Sequence, residues 1–137
     1  MKHEPVTKSL SRWHEMIAAR DINALHDLIH PDAIFRSPVA HTPYRGRDAL
    51  VLALTTVINV FEDFTYTREF AAEDGKDVVL EFSANVGGKK LKGVDLIKFD
   101  DDGLIREFEV MIRPASGLMA LGEEMSKRVG AKLSTFK

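Results

Sequence analysis

The sequence contains no cysteine, and this absence removes several kinds of chemistry from consideration. Disulfide bonds, thiol nucleophiles and zinc sites with cysteine ligands are excluded, and a reducing, cytoplasmic location is the compatible one. The N-terminal residues MKHEPVTKS have no apolar segment of the kind that a signal peptide needs. The longest apolar run is far below the roughly 18 residues of a membrane-spanning helix, so no membrane association is expected.

The chain also lacks a strong excess of one charge. Its 19 Lys and Arg and 21 Asp and Glu give a formal net charge of −2. The widest basic cluster, Lys89, Lys90 and Lys92, has no aromatic residues between its members. A nucleic-acid partner is therefore not expected. With 45% hydrophobic and 29% charged residues, the 137 residues are predicted to form one globular domain over 1–137, with its core at about 8–113.

Helical periodicity marks the N-terminal part of the chain. Apolar residues at helical spacing predict a first helix: Leu10, Trp13, Ile17 and Ala18. The same spacing predicts a short second helix: Ile22, Leu25, Leu28 and Ile29. This helix is predicted to end at His30, because a residue before proline avoids helical geometry. A third helix over about 47–61 carries the clearest apolar stripe: Leu50, Val51, Leu54, Val57, Ile58 and Phe61.

The segment HPDAIFRSPVAHTPYRGRD, at 30–48, lies between the second and third helices. Residues 33–35 are predicted to form a short strand, and Pro38 ends it because proline has no N–H to donate to a neighbouring strand. Polar side chains in the following turn make this strand a candidate pocket wall.

After residue 61 the apolar period changes to two, which is typical of strands. Four strands are predicted, at 64–70, 78–84, 91–99 and 104–113, with Phe64, Tyr66 and Phe70 on one face of the first. Gly-containing turns join them into an antiparallel meander. A C-terminal helix follows at about 115–129. Helices followed by a meander predict an α+β fold with helices packed on one face of the sheet.

Several segments, in this order, carry a family resemblance: ARDINALHDLIHPDAIF, YRGRDAL, VLEF and VDLIKFDDDGLI. The chain resembles the SnoaL-like branch of the nuclear transport factor 2-like superfamily. The resemblance implies a cone-like, curved antiparallel (mixed) sheet wrapped around the N-terminal helices and enclosing an apolar pocket. Family members include ketosteroid isomerases, polyketide cyclases, scytalone dehydratase and limonene-epoxide hydrolase, and also transport factors that catalyse nothing, so fold alone does not determine function. No cofactor is expected.

Asp95 is the principal candidate for a site residue. Period two places it on the same strand face as Ile97 and Phe99, and a carboxylate among apolar side chains is either paired or functional. By the resemblance, Asp95 corresponds to the protonated Asp in the oxyanion hole of ketosteroid isomerase. We predict that Asp95 lines the pocket with a raised pKa. Its alternative is a structural role, hydrogen-bonded to Trp13 or Tyr44 or paired with an arginine.

Two other positions differ from the isomerase pattern. The general-base position is Ser37, which cannot take up a proton near neutral pH without a base beside it. The oxyanion tyrosine position is Trp13, which donates a hydrogen bond but no proton. The ketosteroid isomerase mechanism is therefore not expected. Two hypotheses stay open: an isomerase, cyclase or hydrolase acting on an apolar carbonyl compound, and a non-catalytic member that binds a ligand or a protein.

A small hydrophobic molecule is the expected partner of the pocket. The residues expected to bind it are Trp13, Ile17, Phe35, Tyr44, Phe82, Phe108 and Val110. His41 lies in the turn before Tyr44 and is either a general acid–base group or a surface histidine; the second is favoured because loops are mostly solvated.

Two further expectations concern metal binding and assembly. His26 and His30 have the i, i+4 spacing of a helical zinc pair, but no third ligand is evident, so no metal site is predicted. Val94 and Leu96 point to the strand face opposite Asp95 and leave apolar side chains there. Members of the family that the chain resembles commonly pair through the outer face of the sheet, so the resemblance and these side chains together imply a homodimer through that face.

Overall fold

Residues 3–137, which the computed structural model describes, form three α-helices: α1 (Glu4–Ala19), α2 (Arg47–Val60) and α3 (Ala115–Ser134). A short 3-10 helix covers Leu25–Leu28. The same residues form six strands: β1 (Ile29–Arg36), β2 (Tyr44–Arg45), β3 (Glu62–Ala71), β4 (Asp77–Val86), β5 (Lys89–Phe99) and β6 (Ile105–Arg113).

The six strands of the described chain form one curved sheet in the order β2-β1-β6-β5-β4-β3. β1 runs parallel to β6, and all other neighbouring strands are antiparallel. The predicted α+β class, the mixed sheet and the four-stranded meander from β3 to β6 are therefore confirmed.

The core lies between the inner face of this sheet and the helices. Every second residue of β5 points inward, so Leu91, Asp95 and Ile97 are buried while Lys92 is exposed. Helix α1 contributes Trp13, and α2 contributes a buried stripe that includes Leu50. The C-terminal helix is longer than predicted: it continues to Ser134, and Leu133 is buried in the core.

The predicted second α-helix is wrong. Only the 3-10 turn forms, and β1 begins at Ile29, so His30 and Pro31 lie inside the strand. The register between β1 and β6 shifts between Ile29 and Ile34. Pro31 therefore falls in an irregular stretch, where its missing N–H does not interrupt a regular ladder.

The predicted position of Phe70 is also wrong. The register of β3 against β4 shifts between Tyr66 and Glu69, which inserts one extra residue into β3. Phe70 therefore lies opposite Val79 and is 54% exposed, whereas Tyr66 faces inward opposite Phe82. A single-residue bulge turns every later side chain to the other face of a strand.

None of the helices within residues 3–137 combines the length and the apolar content that crossing a membrane requires.

Close packing on β5 gives a first prediction. A Cβ atom at Gly93 would lie 2.6 Å from the ring Cζ of Phe82 and 2.7 Å from the backbone oxygen of Met111. Gly93→Ala should therefore lower the free energy of unfolding, by about 1–3 kcal/mol, since backbone and ring must both shift. Urea unfolding would measure this.

The matched control is Gly130→Ala in helix α3. There the new Cβ would meet only the side chain of Ser126, with Oγ at 3.0 Å. Alanine also favours a helix over glycine by about 1 kcal/mol. This variant should be at least as stable as the wild type. Equal stability of Gly93→Ala and the wild type would contradict the packing argument.

Candidate functional site

A cavity of about 400 Å³ lies between the inner face of the sheet and the three helices. Most of its wall is apolar. The seven residues that the sequence suggested for ligand binding lie on this wall: Trp13, Ile17, Phe35, Tyr44, Phe82, Phe108 and Val110. Its polar side chains include Ser37, Tyr44, Tyr66, Asp95, Ser126, Ser134 and Lys137. The cavity can therefore enclose an apolar molecule and offers it polar contacts at a few points.

Asp95 is the buried carboxyl group of this cavity. It lies in the middle of β5, between Leu80 of β4 and Val110 of β6, and is 6% exposed. Burial raises the pKa of Asp95 to about 7, because the charged form loses its hydration. A hydrogen bond from Tyr66 opposes this shift only in part.

A chain of two hydrogen bonds leads to Asp95 from helix α1. Trp13 Nε1 donates to the Tyr66 hydroxyl oxygen at 3.0 Å, and that hydroxyl donates to Asp95 Oδ2 at 2.8 Å. Burial, and then the nearby carboxylate, raises the pKa of Tyr66 well above its usual 10. Tyr66 therefore stays a neutral donor at physiological pH.

The second oxygen of Asp95 is available to a ligand. Among residues 3–137 no side chain donates to Oδ1. Every fully buried side-chain nitrogen or oxygen in this part of the chain has a hydrogen-bond partner, so Oδ1 is not fully buried. Oδ1 therefore faces the open volume of the cavity that Asp95 lines. Near neutral pH this oxygen can carry a proton and donate it in a hydrogen bond.

Tyr66 is the site residue that sequence reasoning missed. Trp13 and Tyr44 are the structural partners that the sequence suggests for Asp95. Trp13 reaches it only through Tyr66, and Tyr44 stacks on Phe35 with ring centroids 5.9 Å apart. The available signal was the alternation of Phe64 and Tyr66 with polar neighbours, which places both on the inner face of β3.

Comparison with known proteins identifies the family. Residues 10–108 match the SnoaL-like domain. The chain belongs to the SnoaL-like family. The crystal structure of a steroid delta-isomerase from Pseudomonas aeruginosa is similar over 97% of both chains, with 54% sequence identity and a TM-score of 0.92. The predicted family is thereby confirmed.

Two further relatives show the range of this family. An uncharacterised bacterial protein with a cystatin-like fold from Silicibacter pomeroyi is 35% identical, with a TM-score of 0.84, over 93% of this chain and 91% of that one. The epoxide hydrolase LasB of Streptomyces lasalocidi is 29% identical over 120 residues, which are 81% of this chain. The match spans only 43% of the length of that hydrolase.

The remaining candidate residues of this SnoaL-like protein lie apart from Asp95 or have other partners. Ser37 lines the cavity, but its Oγ accepts a hydrogen bond from the Val39 N–H at 3.2 Å. Within the described chain no carboxylate or histidine contacts that hydroxyl. His41 is exposed and does not belong to the cavity wall.

Each of the two histidines with zinc-like spacing lies within hydrogen-bond distance of an arginine. His26 lies on the 3-10 helix, with Nε2 3.1 Å from Arg47 Nη1, and His30 lies on β1, with Nδ1 2.9 Å from Arg106 Nη1. Among residues 3–137 no three His, Cys, Asp or Glu side chains form a group that could hold a metal ion.

The pKa of Asp95 predicts how stability changes with pH. The unfolded chain loses the Asp95 proton near pH 3.8, but the folded chain keeps it to about pH 7. Between these values the unfolded state binds fewer protons, so the contribution of Asp95 to the free energy of unfolding falls as pH rises. The fall is about 1.4 kcal/mol per pH unit and about 4 kcal/mol in all, and it ends above the folded pKa.

The measurement compares urea unfolding of the wild type and Asp95→Asn at several pH values. Because Asn does not titrate, the variant should gain stability relative to the wild type between about pH 4 and 7. Glu109→Gln, a change on the outer face of the same sheet, is the control and should not show this gain. A stability difference between wild type and Asp95→Asn that is constant with pH would show that Asp95 is not protonated in the folded state.

Proposed function

We propose that this SnoaL-like protein binds an apolar molecule that carries a carbonyl group and promotes proton transfer at the carbon beside that carbonyl. The observation that carries the proposal is the free Oδ1 of Asp95 at the cavity surface. A protonated Asp95 can donate from Oδ1 to a carbonyl oxygen while its Oδ2 continues to accept from Tyr66. The carboxyl group is thus held in place by one oxygen and presents the other.

A hydrogen bond to the carbonyl has a definite chemical effect. It stabilises the negative charge that develops on the oxygen when the neighbouring carbon loses a proton. The effect is larger in an apolar cavity, from which water is excluded, than in solution. Loss of that proton is the first step both of double-bond isomerisation and of aldol-type ring closure. A cavity of about 400 Å³ is in the range that takes a molecule of drug size.

The relatives support isomerase chemistry more than epoxide hydrolysis. The steroid delta-isomerase shares 54% of its residues with this chain, whereas the epoxide hydrolase shares 29%. Opening an epoxide with water also needs a base beside the acid. Asp95 is the only carboxylate on the described part of the cavity wall, and that wall has no histidine. One carboxyl group without a second carboxylate or a histidine on the described wall favours polarisation of a carbonyl.

A second candidate function is ligand binding without catalysis. The observation in its favour is that the Ser37 oxygen accepts from the Val39 N–H, at the place where the family resemblance puts a general base. A serine in this state cannot remove a proton from carbon. Under the first proposal water must accept that proton, and under the second the proton is not removed.

Deuterium exchange separates these functions. We expect the protein to bind β-tetralone, a fused-ring ketone, and to speed the exchange of its acidic C–H protons in D₂O, followed by NMR. Asp95→Asn keeps a hydrogen-bond donor but loses the acid, so its exchange rate should fall at least about tenfold. Asp95→Leu should also bind the ketone more weakly. The protein-dependent rate should fall as pH rises through about 7, because the donor ionises.

The controls decide between the outcomes. Glu109→Gln should behave as the wild type in both binding and exchange. Binding that depends on Asp95, without exchange above the rate in buffer, supports the non-catalytic function. Equal binding and exchange by wild type and Asp95→Leu would overturn the assignment of Asp95 to the ligand.

We also propose that the protein is a homodimer that pairs through the outer face of the sheet. Val94 and Leu96 are partly exposed on this face, and Met111 beside them is 51% exposed. Sedimentation equilibrium should give about twice the chain mass of 15.3 kDa. Leu96→Asp should give the mass of one chain, because a charge at the centre of an apolar contact opposes association. A wild-type mass of one chain at micromolar concentration would refute the dimer.

A further inference from the structure

The bulge in β3 is formed by Thr67 and Arg68, which together stand opposite Glu81 of β4. The neighbouring pairs are regular: Tyr66 lies opposite Phe82, and Glu69 lies opposite Leu80. Two residues on one strand facing one residue on the other is the arrangement of a β-bulge, and the ladder is locally interrupted there. The strand needs another interaction at this point to keep its path.

Glu81 supplies that interaction on the outer face of the sheet. Its Oε1 accepts from Thr67 Oγ1 at 2.7 Å and from Arg68 Nε at 2.7 Å, and its Oε2 accepts from Arg68 Nη2. The Thr67 hydroxyl also lies 3.3 Å from the Glu81 backbone oxygen. Lys92 Nζ of β5 lies 3.6 Å from Oε2. These partners hold the pKa of Glu81 down at about 2, so it is ionised at physiological pH.

The bulge determines which residues of β3 after Tyr66 face inward. With the extra residue, Tyr66 and Glu69 both point to the inner face. There Tyr66 donates to Asp95 Oδ2, and Glu69 Oε1 lies 2.9 Å from His14 Nε2 on helix α1. Without the extra residue, period two would place Arg68 on the inner face in place of Glu69.

β3 has few other constraints at this point. It is an edge strand, so within the sheet it pairs only with β4. The residues that follow Tyr66 on this strand are exposed. Helix α1 contacts Tyr66 and Glu69, on either side of the bulge, whereas the side-chain contacts at the bulge itself are those of Glu81 on β4.

We propose that Glu81 is a positioning residue for the cavity: from the outer face of the sheet it holds the Thr67–Arg68 bulge and so keeps the Tyr66 hydroxyl on Asp95. Glu81 itself is not among the residues that line the cavity. This inference concerns the same site as the proposed function. It is nevertheless tested on the protein without ligand, so its failure and the failure of the proposed function are distinguishable.

The sign of the expected effect separates positioning from direct electrostatics. The Tyr66 hydrogen bond lowers the pKa of Asp95, so its loss should raise that pKa further. Removing the negative charge of Glu81 would leave the positive charges of Arg68 and Lys92 uncompensated. Through space, this change would lower the pKa of Asp95.

Few other groups can influence the titration of Asp95. Of its neighbours across the strands, Leu80 on β4 and Val110 on β6 are apolar. Tyr66 from β3 is the titratable group in direct contact, and it is in turn bonded to Trp13 of α1. Other titratable groups of the described wall are Tyr44 of β2 and Lys137, which follows α3, and neither is hydrogen-bonded to Asp95.

The experiment is a carbon-13 NMR titration of the Asp95 carboxyl group in the full-length protein. Four variants are compared with the wild type: Glu81→Ala, Glu81→Gln, Tyr66→Phe and the control Glu109→Gln. Glu81→Ala should move the midpoint of the Asp95 titration to higher pH, which is also the shift expected for Tyr66→Phe. Glu81→Gln keeps an oxygen that accepts from Thr67 and should restore part of the wild-type midpoint. Glu109→Gln should leave the midpoint unchanged.

A double substitution completes the test. In a Tyr66→Phe background, Glu81→Ala should have little further effect on the midpoint, since the hydroxyl that it positions is already absent. A folded Glu81→Ala protein whose Asp95 midpoint is unchanged, or moves to lower pH, would overturn the proposal. If Glu81→Ala does not fold, Thr67→Val removes one of the bonds that hold the bulge without changing any charge, and it must give the same upward direction.

Discussion

The burial of one carboxyl group against the inner face of the sheet is the constraint around which this site is arranged. Asp95 has apolar neighbours on both adjacent strands and neutral donors in Tyr66 and, behind it, Trp13. Among residues 3–137 no cation compensates the charge of the carboxylate, and burial keeps the proton on it to about pH 7. Since Tyr66 occupies only one carboxyl oxygen, burial leaves the other free for the cavity.

The same sheet shows how differently two carboxyl groups behave on its two faces. Glu81 on the outer face has Arg68 and Lys92 beside it, and these partners lower its pKa to about 2. Asp95 on the inner face has no cationic partner in the described part of the chain, and burial raises its pKa to about 7. The β3 bulge lies between the two, because Glu81 contacts Thr67 and Arg68, and Tyr66, the residue before them, donates to Asp95. The negative charge of Glu81 is thus stabilised outside the cavity, whereas the Asp95 carboxyl group inside it keeps its proton to about pH 7.

Membership of the SnoaL-like family explains the architecture but leaves the chemistry to particular side chains. In this chain Ser37 stands where the resemblance places a general base, and Trp13 stands where it places a tyrosine. A tyrosine is nevertheless present at the site, but it is Tyr66 on β3, whose hydroxyl donates to the carboxyl group. Carbonyl polarisation by Asp95 fits this arrangement of donors, whereas proton removal by Ser37 does not.

The sequence by itself determined the family, the order of helices and meander, and the inward direction of Asp95, because turn residues and alternation are local properties. It did not show that the chain at His30 is strand, since pairing with β6 outweighed the local helical spacing. Nor did it show that Tyr66 is the partner of Asp95. Only the tertiary structure decided these points, because a bulge and a long-range hydrogen bond depend on contacts between residues far apart in the chain.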